Sequence, residues 1–464
     1  MTHPHLDAVL DRIDADLDDA LERLFAFLRI PSISTDPAHS ADCRAAADWL
    51  VAEFRLLGFD ASRRDTDGRP MVVAHGDALA AGEDGPSLLF YGHYDVQPVD
   101  PLDLWRTPPF EPRLEDGPRG KVIRARGAAD DKGQLMTFVE ACRAWKTVTG
   151  ALPARVSILV EGEEESGSPS LDPFLEAHRE ELTRDLALIC DTGMYDPDTP
   201  AISATLRGLM GEEIVIHAAD RDLHSGMYGG AAANPIRVLA SILADLHDAE
   251  GRVTLEGFYD GVGEPSDAMR AQWEALGFDA AAFLGEVGLS VPAGETDRSA
   301  LEQIWSRPTC EFNGISGGYA GAGFKTVIPA QASAKVSCRL VGRHDPEAVR
   351  AALRAHVEAR LPADCRVDFH RHGSAPATVM DVDAPAFEAA RQALSDEWGR
   401  EAAFIGSGGS IPIAGRFREM LGMESLMVGF GLDDDGLHSP NEKYDLRCFH
   451  QGARSWARVL AALS

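Results

Sequence analysis

Residues 160–168 read VEGEEESGS and place three adjacent glutamates, Glu163, Glu164 and Glu165, directly after the apolar run VSILV. Neighbouring carboxylates repel one another, and a buried carboxylate is unfavourable unless it meets a cation or a proton. An isolated acidic run at the end of a strand is typical of a solvated turn. The triplet therefore indicates chemistry only if other parts of the chain supply matching partners.

Four further motifs carry imidazole or carboxylate groups that could form one site with the glutamates. They contain His93 and Asp95 in GHYDVQP, Asp130 and Asp131 in GAADDKG, Asp191 in CDTG, and His438 in LHSPNEK. Zinc, manganese and cobalt accept these ligands, and a carboxylate with two oxygens can bridge two ions. Two ions ~3.5–4 Å apart would place positive charge beside the glutamates. Together the motifs predict a metal site.

Each of these residues also has an ordinary structural explanation. Asp130 precedes the periodic segment QLMTFVEAC and suits a helix N-cap, and Asp191 follows a predicted strand, where aspartate commonly begins a turn. His93 suits a buried, hydrogen-bonded histidine, and His438 suits a surface loop. All of these explanations must hold at once for the site to be absent, so the metal site is the favoured interpretation.

The elements that position these residues alternate between short apolar runs and helical periodicity. Helical spacing extends from Leu6 to Leu28 and over AADWLVAEFRLLGF, and the apolar runs are MVVAHG, SLLFYG, VSILVEG, LALICD and ESLMVGFG. Strands alternating with helices predict an α/β fold with a mixed, mostly parallel sheet flanked by helices. In such a sheet, functional groups gather at the carboxyl ends of the strands, where the metal-site motifs lie.

The sequence pattern changes between about residues 207 and 380. MGEEIVIHA and QASAKVSCRLVG alternate like half-exposed antiparallel strands, whereas PIRVLASILADLH and PEAVRAALRAHVEARL have helical spacing. We therefore predict a first domain formed by residues 1–206 and 381–464, with an α+β domain inserted at residues 207–380. The 464-residue length is sufficient for two or three domains.

Composition narrows the classes of partner. Acidic residues outnumber basic ones by 74 to 44, and the formal net charge of −30 repels nucleic acid and anionic membranes. The seven scattered cysteines contain no CxxC pair and favour reduced thiols in the cytoplasm. The N-terminus lacks a signal-peptide pattern, and no apolar stretch approaches the ~20 residues needed to span a bilayer. A small neutral or cationic partner in the cytoplasm is expected.

Eight motifs, taken in order, are more specific than any one of them. They are GHYDVQP, RGAADDKG, EGEEESGS, CDTG, RDLHSGMYGG, GISGGYAGAGFKTVIP, GGSIP and HSPNEK. The set spans residues 92–443 and closely resembles the M20 metallopeptidase family, especially its carnosinase-like dipeptidase branch. The resemblance implies a fold of the zinc-exopeptidase type, in which the inserted domain acts as a lid and dimerisation domain in a homodimer.

The resemblance also implies two divalent ions in each subunit, zinc or manganese, with cobalt also acceptable. The implied ligands are His93 and Asp191 for one ion, Glu165 and His438 for the other, and Asp130 as the bridge. Asp95 would lie behind His93 and hold its tautomer. These roles assign the glutamate triplet and the four further motifs to one site.

Within the triplet, the resemblance implies that Glu164 is the general base, taking a proton from a metal-bridging water and passing it to the leaving amine. In extended backbone, neighbouring side chains point in opposite directions, so Glu165 can bind metal while Glu164 faces the water. Glu163 has no role in the family pattern and is expected to be a solvated neighbour.

The remaining implied residues contact the substrate. His224 in RDLHSG would act at the active site of the partner subunit, although a histidine on an ordinary turn is the alternative explanation. The implied lid contacts are Asn313, Arg339 and His372, and the contacts from the first domain are Gly409 and Ser410. Arg339 suits a bidentate interaction with a free C-terminal carboxylate.

Three functions are therefore compared. The first is a di-metal exopeptidase that cleaves dipeptides or short peptides, and the second is an N-acyl amino acid amidohydrolase with the same metal site. The third is a catalytically silent binding or scaffold protein, which the intact set of ligands and base argues against. The sequence favours the first.

Overall fold

The computed structural model describes residues 3–76, 85–408 and 412–464 of the chain. The chain divides into two compact units. The first comprises Met1–Ala204, Met380–Ile405 and Arg416–Ser464, and the second comprises Thr205–Val379 and Gly406–Gly415. The predicted domain boundaries lie between residues 206 and 207 and between residues 380 and 381. The structure also assigns residues 406–415 to the second unit, which the sequence did not predict.

Helices and strands alternate through most of the chain. The helices are α1 Leu6–Ala15, α2 Leu17–Leu28, α3 Ser40–Leu56, α4 Lys132–Thr149, α5 Leu171–Ala177, α6 Arg179–Leu182, α7 Ser225–Tyr228, α8 Pro235–Ala244, α9 Asp267–Ala275, α10 Ala280–Gly285, α11 Ala300–Trp305, α12 Pro346–Glu358, α13 Pro385–Trp398, α14 Pro412–Arg416 and α15 Leu446–Ala462. The strands are β1 Asp60–Arg64, β2 Met71–His75, β3 Ser87–His93, β4 Arg113–Gly117, β5 Gly120–Arg124, β6 Arg155–Glu161, β7 Leu186–Ile189, β8 Ala201–Leu206, β9 Gly208–His217, β10 Leu223–His224, β11 Thr309–Gly317, β12 Val327–Ile328, β13 Gln331–Leu340, β14 Arg366–Ala375, β15 Thr378–Val379, β16 Ala403–Ser407, β17 Glu424–Met427 and β18 Lys443–Asp445.

A six-stranded sheet forms the centre of the first unit, in the order β1-β2-β6-β3-β7-β17. Strands β6, β3, β7 and β17 run parallel to one another, whereas β1 and β2 pair in antiparallel fashion. The carboxyl ends of the four parallel strands therefore meet at one edge, which we call the carboxyl edge. The predicted α/β class with a mixed sheet is confirmed.

Helical segments cover both faces of this sheet. Phe90 of β3 stacks on Phe138 of α4 with ring centroids 3.8 Å apart. The next residue, Tyr91, points to the opposite face and meets Phe417 edge-on at 5.8 Å. Burial on both faces explains why the inner strands read as continuous apolar runs.

The second unit contains a four-stranded antiparallel sheet with the order β11-β13-β9-β14. On one face, alternate apolar residues pack with α8 and α12 into a buried core that includes Ile214, Val336 and Leu353. The other face carries the half-buried and exposed residues, as expected for an antiparallel sheet with only one apolar face. The two segments predicted to be half-exposed antiparallel strands are confirmed as β9 and β13, and the structure shows that they pair with each other.

The N-terminal helical pattern is interrupted in the structure. Its apolar residues pack inward as expected, but Asp16 separates α1 from α2, so the segment is two helices and not one. Within the described ranges, none of the helices is long and apolar enough to cross a membrane. All seven cysteines lie in those ranges as free thiols, and Cys365 alone among them is partly exposed.

Candidate active site

The predicted metal ligands lie on five segments of the first unit. His93 ends β3, Asp130 lies two residues before α4, Glu165 lies in the 3₁₀ helix Glu164–Ser166 after β6, Asp191 follows β7, and His438 lies between β17 and β18. They form two groups in which the ligand atoms all lie within 4.8 Å of one another, and Asp130 belongs to both groups. Distant parts of the chain thus meet at the carboxyl edge.

In the first group, His93 faces two carboxylates. Its Nε2 lies 3.1 Å from Asp130 Oδ1 and 4.0 Å from Asp191 Oδ2. Burial disfavours the charged imidazole, but the surrounding carboxylates, chiefly Asp130 and Asp95, together outweigh it and raise the pKa of His93. Burial raises the pKa of Asp191 well above its ordinary value, and His93 only partly opposes this shift.

In the second group, His438 also faces two carboxylates. Its Nε2 lies 3.0 Å from Asp130 Oδ2 and 3.2 Å from Glu165 Oε2. Hydrogen bonds with Asp130 and Glu165 raise the pKa of His438 to about 10. Burial favours protonated Asp130, but the hydrogen bonds and charges of His438 and His93 together outweigh it and lower the pKa of this carboxyl. Asp130 therefore turns one oxygen toward each group.

The donor chemistry fits divalent transition metals. The two groups offer two imidazoles and three carboxylates, a mixture that zinc and manganese accept. Across the described part of the chain, no lysine or arginine forms an ion pair with Asp130, Asp191, Glu164 or Glu165. Negative charge at the carboxyl edge therefore exceeds what the protein itself neutralises, and bound cations would relieve the repulsion.

Asp95 lies behind both groups and is fully buried. Its Oδ1 lies 3.3 Å from His93 Nδ1, and its Oδ2 accepts a hydrogen bond from the backbone N–H of Glu165 at 3.1 Å. A carboxylate on the far nitrogen of a ligating imidazole fixes the tautomer and the ring orientation. Asp95 is therefore placed to orient one predicted ligand from each group.

The glutamate triplet does not have the extended backbone that we expected. Glu164–Ser166 form a 3₁₀ helix, which ends at Gly167 with a φ of 87°, in the left-handed region that favours glycine. The prediction of extended backbone is wrong, and in this 3₁₀ helix the side chains of Glu164 and Glu165 point in directions about 120° apart.

Glu163 is not the solvated neighbour that the sequence indicated. Only 5% of the residue is exposed, and its carboxylate accepts backbone hydrogen bonds from Arg69 at 2.9 Å and Ser170 at 3.3 Å. Gly68 approaches so closely that a Cβ at that position would lie 1.7 Å from Glu163 Oε1. The expectation of a solvated Glu163 is wrong. The Arg69 amide that binds its carboxylate lies far away along the chain, so the local sequence does not indicate the contact.

Glu442 is a buried residue of the site that the sequence analysis did not single out. Its Oε1 accepts hydrogen bonds from the backbone N–H groups of Ala129 and Asp130 at 2.9 and 3.1 Å. Its Oε2 accepts from Gly127 N–H and from Arg126, both at 2.8 Å. Glu442 therefore holds the loop that carries the shared carboxylate, and its place in the motif HSPNEK was the available signal.

Asp131 stabilises the same region from the other side. It is fully buried, and its Oδ2 accepts a hydrogen bond from the backbone N–H of His93 at 3.1 Å. Asp131 occupies the N-cap position of α4 without a side-chain capping bond, so the capping explanation for Asp130 is wrong. Gly133 packs so tightly on the loop that a Cβ would lie 1.9 Å from the Ala128 carbonyl oxygen.

The predicted substrate residues of the inserted domain all lie in the second unit. His224 ends β10, is exposed, and accepts a hydrogen bond at Nδ1 from Gly226 N–H at 3.0 Å. Asn313 lies at the bulge in β11, and His372 lies at the irregularity in β14, next to Gly211. Arg339 lies on β13, whereas the predicted contacts Gly409 and Ser410 lie outside the described residues.

Comparison with known proteins identifies the family. The sequence profile described as Peptidase family M20/M25/M40 matches residues 89–462. The chain therefore belongs to this family, as the order of the motifs predicted, and it is a peptide hydrolase.

Individual relatives cover almost the whole chain. The Cys-Gly metallodipeptidase dug1 of Schizosaccharomyces pombe is 30% identical over an alignment of 477 positions, which covers 99% of this chain and 99% of that protein. The Beta-Ala-His dipeptidase of Homo sapiens is 28% identical and covers 97% of this chain, with 91% of its own length matched. The structure of the M20 family metallo-carboxypeptidase Sso-CP2 from Sulfolobus solfataricus is 30% identical, with a TM-score of 0.78 and coverage of 96% of this chain and 99% of that chain.

Proposed function

We propose that the protein is a metal-dependent dipeptidase that cleaves the amide bond of dipeptides or other short peptides. The observation that carries the proposal is the sharing of Asp130 between two ligand groups at the carboxyl edge. Similarity to two named dipeptidases along nearly the whole chain supports dipeptides as substrates. An N-acyl amino acid amidohydrolase would use the same site, but these relatives do not favour it.

Five side chains would hold the ions. His93 and Asp191 would serve one ion, Glu165 and His438 the other, and Asp130 both. Zinc or manganese suits this set, with cobalt also acceptable. When bound, such ions lower the pKa of water and stabilise negative charge on a carbonyl oxygen.

Glu164 is the residue that we assign to proton transfer. Within the described ranges its carboxylate accepts no hydrogen bond, whereas Glu163 accepts from backbone amides and Glu165 Oε2 accepts from Gln97 at 2.7 Å. Glu164 is only partly buried and therefore remains accessible. A positioned carboxylate of this kind removes a proton from the attacking water and delivers it to the leaving amine nitrogen.

The second unit supplies the proposed substrate contacts. Arg339 offers a planar guanidinium for the C-terminal carboxylate of a peptide. Asn313 and His372 occupy strand irregularities, which commonly direct side chains toward a site. Gly409 and Ser410 stay predicted contacts from the sequence.

We further propose a homodimer in which His224 acts at the active site of the partner subunit and stabilises the developing oxyanion. The segment that carries it is short: β10 pairs with β12 through Leu223 with Ile328 and His224 with Val327. Large exposed apolar side chains flank this strand pair in the sequence: Met227 is 76% exposed and Phe324 is 92% exposed. Exposed apolar residues next to a polar one are typical of an interaction surface.

The proposed function is tested by incubating the protein, freed of metal and then loaded with manganese or zinc, with a panel of free-amino dipeptides and N-acylated amino acids. Released amines are identified by mass spectrometry. We expect cleavage of dipeptides by the loaded protein and none by the metal-free protein. Cleavage of acylated amino acids alone would contradict the dipeptidase proposal and leave the metal site intact.

The dimer is tested by mixing inactive variants. If His224 acts in trans, His224→Ala and Glu164→Ala subunits together form one site with both residues intact, so part of the activity should return. Subunit exchange is confirmed by native mass spectrometry of differently labelled chains. Exchange without any recovery of activity would refute the assignment in trans.

A further inference from the structure

Among the residues that the structure describes, the guanidinium of Arg207 in the second unit has no hydrogen-bond or ion-pair partner. It lies between β8 and β9, and its Nε is buried without a hydrogen-bond partner. In the part of the chain that the structure describes, its side chain donates no hydrogen bond and forms no ion pair. A buried N–H without a partner is unfavourable, and the two terminal nitrogens, which are not among the buried unpaired atoms, can still donate to a bound acceptor. The arrangement therefore favours an acceptor from outside the chain.

Arg339 presents a second guanidinium on the same face of the sheet. It lies on β13 directly opposite Leu209 of β9, and Arg207 precedes Leu209 by two residues. Residues two apart on an extended chain share a face, so Arg207 and Arg339 are diagonal neighbours across the strand pair. Burial, and then repulsion from Arg339, lower the pKa of Arg207 to about 10.

Glu311 is the acidic residue that acts on this pair from β11, and it does not neutralise the pair. It lies on the same face because Thr309, two residues earlier, is opposite Arg339. Its carboxylate raises the pKa of Arg207 only in part. Among the described residues, Glu311 is exposed and forms no ion pair with either arginine.

Gly408 leaves space beside the Arg207 guanidinium. A Cβ at Gly408 would lie 3.1 Å from Arg207 Nη2, which is closer than most side chains tolerate. The backbone N–H of Arg207 also donates to the carbonyl of Ser407 at 3.3 Å. Arg207 thus contacts the end of the segment that carries Ser407 and Gly408.

We propose that Arg207 and Arg339 together form the binding site for the C-terminal carboxylate of the substrate, and that Arg207 restricts cleavage to peptides with that carboxylate free. The inference rests on the proposed function and deepens it. Two guanidinium forks can pair with both oxygens of one carboxylate, and the bound anion relieves the repulsion between them. Arg207 determines specificity and does not touch the reacting atoms.

The kinetic test compares Arg207→Gln with the wild type on the best dipeptide of the panel. Loss of one charge-assisted contact raises KM about 10- to 100-fold and leaves kcat within about threefold. Inhibition by the released amino acid weakens in parallel, whereas inhibition by its amide does not change. Equal loss for acid and amide, or a fall in kcat at constant KM, would overturn the proposal.

Two further variants serve as controls for the kinetic test. Arg207→Lys keeps the charge without the fork and restores part of the affinity, which a purely structural role would not require. Lys335→Gln removes an exposed cation from the same face of β13 and leaves KM unchanged. Thermal melting shows that each variant is folded, and Arg207→Lys decides the question if Arg207→Gln does not fold.

Direct binding separates this inference from the proposed function. In a metal-loaded Glu164→Ala background, calorimetry measures binding of Ala-Ala and of its C-terminal amide without turnover. Tighter binding of the free acid that disappears with Arg207→Gln supports the carboxylate site, even if no dipeptide is cleaved by the wild type. Equal binding of acid and amide overturns it, whatever the activity.

Discussion

Two acidic triplets follow strands of the main sheet, and they meet different surroundings. Glu163 to Glu165 follow β6, and Asp433 to Asp435 follow β17. Each includes a 3₁₀ turn that ends at a glycine in the left-handed region, Gly167 with a φ of 87° and Gly436 with a φ of 70°. By sequence and local backbone they are alike, so any difference in chemistry must come from what packs against them.

The aspartate triplet receives its cations from the protein. Lys443 Nζ donates to Asp434 at 3.1 Å, Asp435 at 2.6 Å and Asp445 at 2.9 Å, and Arg119 donates to Asp434 at 2.7 Å. Glu164 and Glu165 have no such lysine or arginine among the described residues, and His438 is the cationic group within 4.0 Å of Glu165. An acidic run thus indicates a metal site only where the protein leaves its charge unbalanced.

The largest difference between the glutamate and aspartate triplets should appear in kcat when a residue of each is substituted. Glu164→Gln removes the proposed base and is expected to lower kcat by about 10²- to 10⁴-fold. Metal content, measured by inductively coupled plasma mass spectrometry, should stay near the wild-type value, whereas His438→Ala should lose metal. Asp434→Asn in the other triplet is the matched control and should leave kcat almost unchanged. Appreciable turnover by metal-replete Glu164→Gln would show that the base is assigned wrongly.

The second difference concerns the free energy of unfolding, because the aspartate triplet depends on a cation that the protein itself supplies. Lys443→Met leaves buried Asp435 and Asp445 without their cation and should reduce the free energy of unfolding by about 3–5 kcal/mol. Urea denaturation of the metal-free protein measures the change. Lys121→Met breaks an exposed pair with Asp116 and should change stability by about 0–1 kcal/mol. If the two variants were equally stable, the aspartate triplet would not depend on its buried lysine.

A smaller effect, on metal affinity, is expected for Glu442, which follows the aspartate triplet along the chain and holds the Asp130 loop. Glu442→Gln weakens the hydrogen bonds that hold the Asp130 loop, and metal affinity should fall about 10- to 100-fold. Calorimetric titration with manganese gives the affinity, with the exposed substitution Glu176→Gln as the control. Unchanged affinity in a folded variant would mean that the loop keeps its position without Glu442.

The smallest effect is a pH dependence of metal binding. Because Asp130 and Glu165 raise the pKa of His438 to about 10, the metal-free imidazole is protonated near neutrality and must lose its proton to bind a cation. Affinity should therefore rise with pH, by about tenfold per unit for each proton displaced. Titrations at about pH 6, 7 and 8 in buffers of different ionisation enthalpy test both the slope and the proton release. A slope of the opposite sign would contradict the assignment of His438 as a ligand.

Particular residues show why the sequence predicted some features and not others. His93 and Asp191 follow apolar runs, and parallel strands bring such ends to one edge, so their proximity was predictable. Glu163 and Glu442 are held by amides that lie 94 and about 310 residues away, and periodicity contains no information on such contacts. The extended backbone assigned to the glutamates failed because a left-handed glycine closes a turn there.

The sequence by itself determined the α/β class, the family and the candidate ligands, because apolar periodicity and residue chemistry are local properties that survive without coordinates. Tertiary structure decided which acids remain unbalanced, since charge compensation depends on neighbours from distant segments. It placed Asp130 between two histidines, gave the aspartate triplet its lysine, and left Arg207 beside Arg339 without an acceptor among the described residues. The physical reason is that the energy of a buried charge is set by everything within a few ångströms of it, and only the fold specifies that environment.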